Sequence, residues 1–280
     1  MIPININRVQ LDLTKQTKWS LKAQVLLLQL ENAADKEARD KVIDDNSKYW
    51  KLFKNHLKKV SFNKCWYSDS INPASHYHVD HFRPKKKVIN YDKSERDGYW
   101  WLAFEVSNFR LSGSVPNSKK GNYFAVKLNM VLNQGPCRDE LIYFLDPLVP
   151  SDTQLINFQE DGSAIESAPI EDEPWHHKRA EYTIEYFDLN YEDLVEARMT
   201  EWAITTKLIK KINEKILEFN QEITVSLQTE IDGLKDQCRE RIASCTNLAS
   251  TNRACLRASG KRWAFELLEE NVDEKNCEDR

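Results

Sequence analysis

The sequence predicts an α+β protein in which a small β-containing centre sits within a mostly helical chain. Three observations carry this. Apolar residues recur at helical spacing near both ends. Between them lies a strand-like run in which His76, His78 and Asp80 alternate with other residues. Turn signals cluster between Asp146 and Gly162, and no proline follows Pro174.

Residues 1–62 read as an irregular start followed by helices. Leu21, Val25, Leu28 and Leu30 mark the apolar face of one helix, and Ala38, Val42, Tyr49, Leu52, Phe53 and Leu57 that of a second. Residues 63–126 hold the strand-like run, then a basic loop, Arg83-Pro84-Lys85-Lys86-Lys87. A long insertion separates His81 from Asn108, and its Tyr99-Trp100-Trp101 predicts a helix packed on the core. Residues 127–190 are mixed, with turns at Asp146-Pro147, Val149-Pro150-Ser151-Asp152 and Asp161-Gly162. Glu173-Pro174-Trp175 then opens a helix whose first turn holds His176-His177, with a structural role as the default for both. Residues 191–280 read as mainly helical. Ile204, Leu208, Ile212, Ile216, Leu217 and Phe219, then Ile223, Leu227, Ile231 and Leu234, give a stripe that completes a helical core. Arg262-Trp263-Ala264-Phe265-Glu266-Leu267-Leu268 forms an amphipathic helix suited to docking a partner.

Composition narrows the class. A chain of 280 residues holds one or two domains, and 41% hydrophobic content with eight Trp and eleven Phe supplies ample core. The N-terminus lacks an apolar leader, and the run Val25-Leu26-Leu27-Leu28 is far too short to span a bilayer. The six cysteines, at 65, 137, 238, 245, 255 and 277, contain no CxxC pair. Together these predict a cytoplasmic protein with no membrane association and reduced thiols. A net charge of −4 argues against a general nucleic-acid coat protein. It leaves room for an enzyme whose site alone is positive, and residues 83–87 and 119–120 supply such a field. Acidic residues gather at Glu160-Asp161, Glu171-Asp172-Glu173, Glu269-Glu270, Asp273-Glu274 and Glu278-Asp279. That balance predicts weak DNA affinity unless a partner adds basic surface.

The chemistry concentrates in His78-Val79-Asp80-His81-Phe82-Arg83-Pro84-Lys85. Hydrolysing a phosphodiester needs a divalent cation against developing charge, a base to activate water, and cations to hold the backbone. Asp80, His81 and the cluster Arg83, Lys85, Lys86 and Lys87 supply all three. Blander readings exist: Asp-His pairs also occur as ordinary polar contacts, and His76, His78 and Asp80 share a face on which a different metal site could form. Strict alternation would point Asp80 and His81 to opposite faces, so the hydrolytic reading requires the strand to end or bulge there. Pro84 is consistent with that. His56, in a Lys-rich helical segment, reads as a solvated helix residue.

Asp80-His81 with Pro84, then Ser107-Asn108-Phe109, then Asn117-Ser118-Lys119-Lys120-Gly121 resemble, in that order, the motifs of the HNH nucleases. The resemblance implies a ββα-metal core with Asp80 as metal ligand and His81 as general base. Asn108 would hold the loop, and Asn117 would be the helix-borne ligand, an asparagine where many relatives have histidine. One carboxylate and one amide oxygen suit Mg²⁺ or Mn²⁺ with waters completing the shell. Arg83, Lys85, Lys86, Lys119 and Lys120 would bind nucleic-acid phosphate.

The family usually braces this core with a zinc held by two CxxC pairs. Here those positions read Cys65-Trp66-Tyr67-Ser68 and Gly113-Ser114-Val115-Pro116, and a single thiolate cannot hold a tetrahedral zinc. The sequence therefore predicts no structural zinc, with Trp66, Tyr67, Val115 and Phe124 packing in its place. Leu145-Asp146-Pro147, Asp161-Gly162, Arg179-Ala180-Glu181-Tyr182 and Leu189-Asn190 resemble the extension of one bacterial subgroup. It includes the nuclease subunits of Septu-type and retron-linked anti-phage systems, which work beside an ABC/SMC-like ATPase. This implies DNA as substrate, an ATPase partner, and supporting or substrate-touching roles for Asp146 and Arg179. Two alternatives stay open: a catalytically silent DNA-binding or scaffold subunit of an ATPase complex, and an RNase toxin, since nothing in the sequence selects deoxyribose over ribose.

Overall fold

The computed structural model describes residues 1–10, 13–72, 76–270 and 277, so the acidic pairs Asp273-Glu274 and Glu278-Asp279 lie outside the described residues. The chain is α+β. Helices α1 (Leu13–Glu31), α2 (Lys36–Asp45), α3 (Lys48–Lys51) and α4 (Lys54–Val60) come first. Strands β1 (His78–His81), β2 (Lys87–Ile89), β3 (Glu95–Asp97) and β4 (Phe109–Ser112) lead to helix α5 (Ser114–Lys120). Then follow β5 (Val126–Leu128), β6 (Leu141–Ile142), α6 (Pro150–Thr153), β7 (Ile156–Phe158), β8 (Ala164–Glu166) and α7 (Pro174–Tyr186). The last helices are α8 (Glu192–Gln221), α9 (Val225–Ile242), α10 (Ala249–Ala258) and α11 (Arg262–Glu269). The strands form antiparallel pairs: β1 with β4, β2 with β3, β5 with β6, β7 with β8.

Local chemistry explains the element ends. Asp35 caps α2 by accepting from the Ala38 amide at 2.8 Å, and Pro174 opens α7 where a missing N–H costs nothing. Gly121, at φ 48°, ends α5 in a conformation that favours glycine. A side chain at Gly98 would press a Cβ to 2.5 Å from the Lys86 amide nitrogen. Only glycine lets the foot of the β2–β3 hairpin lie on the basic loop this closely.

Several elements differ from the sequence reading. Helix α1 forms, but Leu21, Val25 and Leu28 are 58%, 54% and 57% exposed, whereas Leu26 and Leu30 are buried. The continuous run from Val25 to Leu28 covers every side of the helix, so spacing alone does not choose the inward face. The second predicted helix is α2, α3 and α4. It breaks where the Asn46 side chain donates to the Val42 carbonyl at 2.9 Å, and Leu52 turns outward. Tyr99-Trp100-Trp101 yields only a 3-10 turn, Trp100–Leu102, and the insertion is otherwise dominated by the β2–β3 hairpin. Those strands are short and charged, so they carry no period-two signal.

At the C-terminal end, α8 and α9 pack as an antiparallel pair against α10. The inward face of α8 is Leu194, Arg198, Trp202, Thr205, Leu208, Ile209 and Ile212, while Leu217 and Ile223 near the tip stay exposed. Helix α11 turns Trp263 and Leu267 inward, with the Trp263 indole donating to Asn213 at 3.0 Å. Trp263 and Leu267 are thus packed within the chain, while Phe265 of the same helix is exposed. Cys245 and Cys277 are joined in a disulfide, correcting the expectation of wholly reduced thiols. They stand 32 positions apart, which no short motif signals. One hydrophobic core runs through all four sequence regions, from Met1, Leu26 and Phe53 through Phe109 and Phe144 to Leu208 and Trp263. No helix among the described residues is long and apolar enough to cross a membrane.

Candidate active site

The β1–β4 ribbon and helix α5 carry the predicted motif. In the ribbon's register Asp80 lies opposite Arg110 and His81 opposite Phe109, with no bulge, and β1 ends at His81. Alternation sends the two side chains to different neighbours. Both residues nevertheless line one cavity of about 600 Å³, together with Asn117, Lys85, Lys86, Trp50, Lys51 and Lys54.

Asp80 is buried and held from two sides. Its Oδ2 accepts from the Tyr67 hydroxyl at 2.7 Å, and its Oδ1 from the Lys120 ammonium at 2.9 Å. Lys120 is itself buried and donates also to the His81 carbonyl at 2.8 Å. Burial, followed by the neighbouring Asp80 charge, pushes the Tyr67 hydroxyl well above its ordinary pKa, so it remains a donor. Each carboxylate oxygen keeps a lone pair beyond these bonds.

His81 is fixed by a carbonyl. Its Nε2 stands 2.9 Å from the Ala103 oxygen, which can only accept. The ring hydrogen therefore sits on Nε2 and the lone pair on Nδ1. The Lys85 ammonium approaches Nδ1 at 3.4 Å and lies over the Trp50 ring. Trp50 and Phe109 meet the imidazole edge-on, at 4.9 and 5.2 Å between ring centroids. Burial, with Lys85 next, holds the His81 pKa well below its usual value, so the ring is neutral at neutral pH. Lys85 in turn is pushed down to about 8, mainly by burial.

Asn108 ties the loop after β1 to the turn that precedes β4. Its Oδ1 accepts from the Arg83 amide at 2.8 Å, and its Nδ2 donates to the carbonyls of Arg83 and Leu102 at 2.9 and 3.3 Å. That position suits holding, not reacting. Asn117, half-buried on α5, makes no side-chain hydrogen bond among the described residues. No group of three or more His, Cys, Asp and Glu side chains gathers as a metal site among the described residues. The donors that are present, an Asp80 carboxylate with spare lone pairs and an unengaged Asn117 amide on the same cavity, fit a hard cation that keeps several waters.

The predicted cations divide. Lys85 faces the cavity, and Lys86 lines it while pairing with Asp44 at 2.7 Å. Lys120 is buried on Asp80 and turned from any phosphate, because Asp80 needs its charge compensated. Lys119 is exposed and pairs with Asp188 at 3.1 Å. Arg83 points elsewhere, bound to Glu140 at 2.8 Å and to the Cys137 carbonyl at 3.2 Å. It lines a second cavity with Asp146 and Arg179. These last two are also paired, Asp146 with Arg110 and Arg179 with Asp152. Of the cations predicted to bind phosphate, Arg83 and Lys120 are thus engaged by carboxylates of the chain itself.

Among the other histidines, His76 and His78 are exposed at the cavity, and His78 meets Ser114 at 3.2 Å. His56 is half-buried in α4, and His177 bonds the Ala168 carbonyl in the first turn of α7. Sequence reasoning missed Trp50, Lys51 and Lys54 at the cavity, and gave Tyr67 only a packing role. No local pattern marks the first three, since they reach the site only through the packing of α3 and α4 on β1 and β4.

The segments 65–68 and 113–116 meet in space. Cys65 Sγ accepts from the Gly113 amide at 3.2 Å. The loop between Cys65 and Ser70 is braced by a buried Lys64–Asp69 ion pair. Asp69 also accepts from the Ser250 amide at 2.8 Å and, through its carbonyl, from Leu248 at 3.0 Å. Trp66, Tyr67 and Phe124 are fully buried around it, and Val115 is half-buried.

No protein-family model matches the chain. Over 203 residues, 70% of its length, the chain is 29% identical to the Septu protein PtuB of Bacillus mycoides (strain KBAB4). The matched stretch spans 65% of that protein.

Proposed function

We propose that this chain is a metal-dependent HNH endonuclease that hydrolyses DNA phosphodiester bonds, as the effector of an anti-phage defence complex beside an ABC/SMC-like ATPase. One observation carries the chemistry: His81, its ring hydrogen fixed by Ala103, turns an unprotonated Nδ1 toward a cavity that Asp80 and Asn117 also line. Similarity to a Septu protein supports the defence role.

In this reading His81 Nδ1 takes a proton from the water whose oxygen bonds to phosphorus, while the bond to the leaving ester oxygen breaks. Phosphate arriving at the cavity draws the Lys85 ammonium from Nδ1 onto its own oxygens, freeing the lone pair for water. Asp80 and Asn117 would hold Mg²⁺ or Mn²⁺, which when bound neutralises charge building on the phosphate. Tyr67 and Lys120 fix the Asp80 carboxylate, and Asn108 keeps the loop closed behind His81.

The test is cleavage of supercoiled plasmid by the wild-type protein with Mg²⁺ or Mn²⁺, with and without EDTA, alone and with an ATPase partner. Metal-dependent cutting is the expected result. A second reading, a silent DNA-binding or scaffold subunit, is favoured by the Lys120 ammonium seated on Asp80. DNA binding without cutting in every arm would establish that reading instead.

A further inference from the structure

Two separate stretches of chain deliver ammonium groups to the His81 cavity. Lys85 and Lys86 come from the loop after β1, and Lys51 and Lys54 from the end of α3 and the start of α4. Leu52 keeps helical geometry between them, so the backbone turns continuously through the junction. The turn is anchored from below. Trp50 packs on His81 at 4.9 Å, and Phe53 on Phe109 at 5.5 Å between ring centroids. Lys51 and Lys54 are thereby set at the cavity by Trp50, which touches His81, and by Phe53, which packs on the Phe109 beside it.

The charge there is not compensated. Asp80 is the sole carboxylate among the described lining residues, and it is already held by Lys120 and Tyr67. Lys86 is matched by Asp44. Lys51 and Lys54 make no ion pair among the described residues, and neither does Lys85. Lys51 is exposed and Lys54 half-buried, so both ammonium groups can meet a ligand. A cavity with such a surplus of positive charge attracts a polyanion.

We propose that Lys51 and Lys54 clamp the backbone phosphates that flank the scissile one, so that the α3–α4 turn is part of the substrate site. The inference rests on the nuclease reading of the same cavity and names the chain segment that grips its substrate. Contacts of this kind are sequence-independent and release condensed counterions, so they show in the salt dependence of binding.

The experiment measures binding of a fluorescein-labelled DNA duplex by anisotropy across a salt series in EDTA, where cutting cannot interfere, with a matched RNA duplex run in parallel. Wild type is compared with Lys51→Ala/Lys54→Ala and with a charge-matched control on α8, Lys207→Ala/Lys210→Ala. Near-ultraviolet circular dichroism verifies that each variant is folded. Loss of two phosphate contacts flattens the slope of log K against log salt by about 2 and weakens binding on every sequence tested. The control keeps the wild-type slope. A clamp variant with the wild-type slope, or wild type without measurable affinity for either duplex, overturns the clamp. Wild type that shows the clamp effect but never cuts with metal and partner overturns the nuclease reading and leaves the clamp standing.

Discussion

At Asp80 and His81, two neighbouring strand residues meet opposite surroundings, and their chemistry diverges accordingly. The carboxylate is paired with an ammonium, and the imidazole is kept neutral by burial and by Lys85. Removing the Lys120 charge would leave Asp80 buried and uncompensated. Lys120→Met is expected to cost about 3–5 kcal/mol of stability by denaturant unfolding, unless an added cation takes its place. Asn108→Ala would open the loop behind His81 and leave buried carbonyl and amide groups unpaired. A loss of about 1–3 kcal/mol is expected, with a lower turnover than the stability change alone explains. That Asp80, His81 and Asn117 meet at one cavity, with Asn108 tied to the loop beside it, was legible because each stands at a fixed place in an ordered local motif. The partners of Arg83 and Lys120 were not legible, because a carboxylate far off in sequence claims each side chain. Glu140 takes the first and Asp80 the second.

Among the elements, the ribbon and α5 present the site, and the Cys65–Ser70 loop steadies its back. That loop is held by a buried ion pair tied to the start of α10. Burial alone would raise the Asp69 pKa, but Lys64 and the surrounding donors bring it below the ordinary value. A depressed carboxylate contributes stability that is complete above the unfolded pKa of about 3.9 and lost as pH falls through the folded value. Asp69→Asn should therefore lower the melting temperature at pH 7, and the gap to wild type should narrow as pH falls below 4. An undiminished gap at low pH would show that Asp69 acts through shape alone. The α1 and α8 stripes show where periodicity failed. Each helix has apolar residues on more than one side, and only tertiary packing chooses which side is buried.

In the whole molecule, the continuous core makes the helical ends part of the site rather than appendages. Met1, Phe53 and Trp263 belong to one apolar cluster, and Lys64 bonds the Thr246 carbonyl across most of the sequence. A chain cut after residue 190 would lose the α10 support of Asp69 and the Thr246 partner of Lys64. It is expected to lack cooperative unfolding and to be digested rapidly in limited proteolysis, whereas the full chain resists. The broad class, helices around a small β centre, was readable from composition and spacing. The way α3, α4 and α10 converge on β1 and β4 was not, because no short-range pattern encodes contacts between such distant segments.

The most direct test of the central claim is the rate of phosphodiester cleavage by His81→Ala relative to wild type, measured with saturating Mg²⁺ or Mn²⁺ on supercoiled plasmid. If Nδ1 of His81 is the general base, the rate falls by about 10²-fold or more while DNA affinity holds. Cleavage at the wild-type rate by the folded variant would place the hydrolytic site elsewhere and contradict the account.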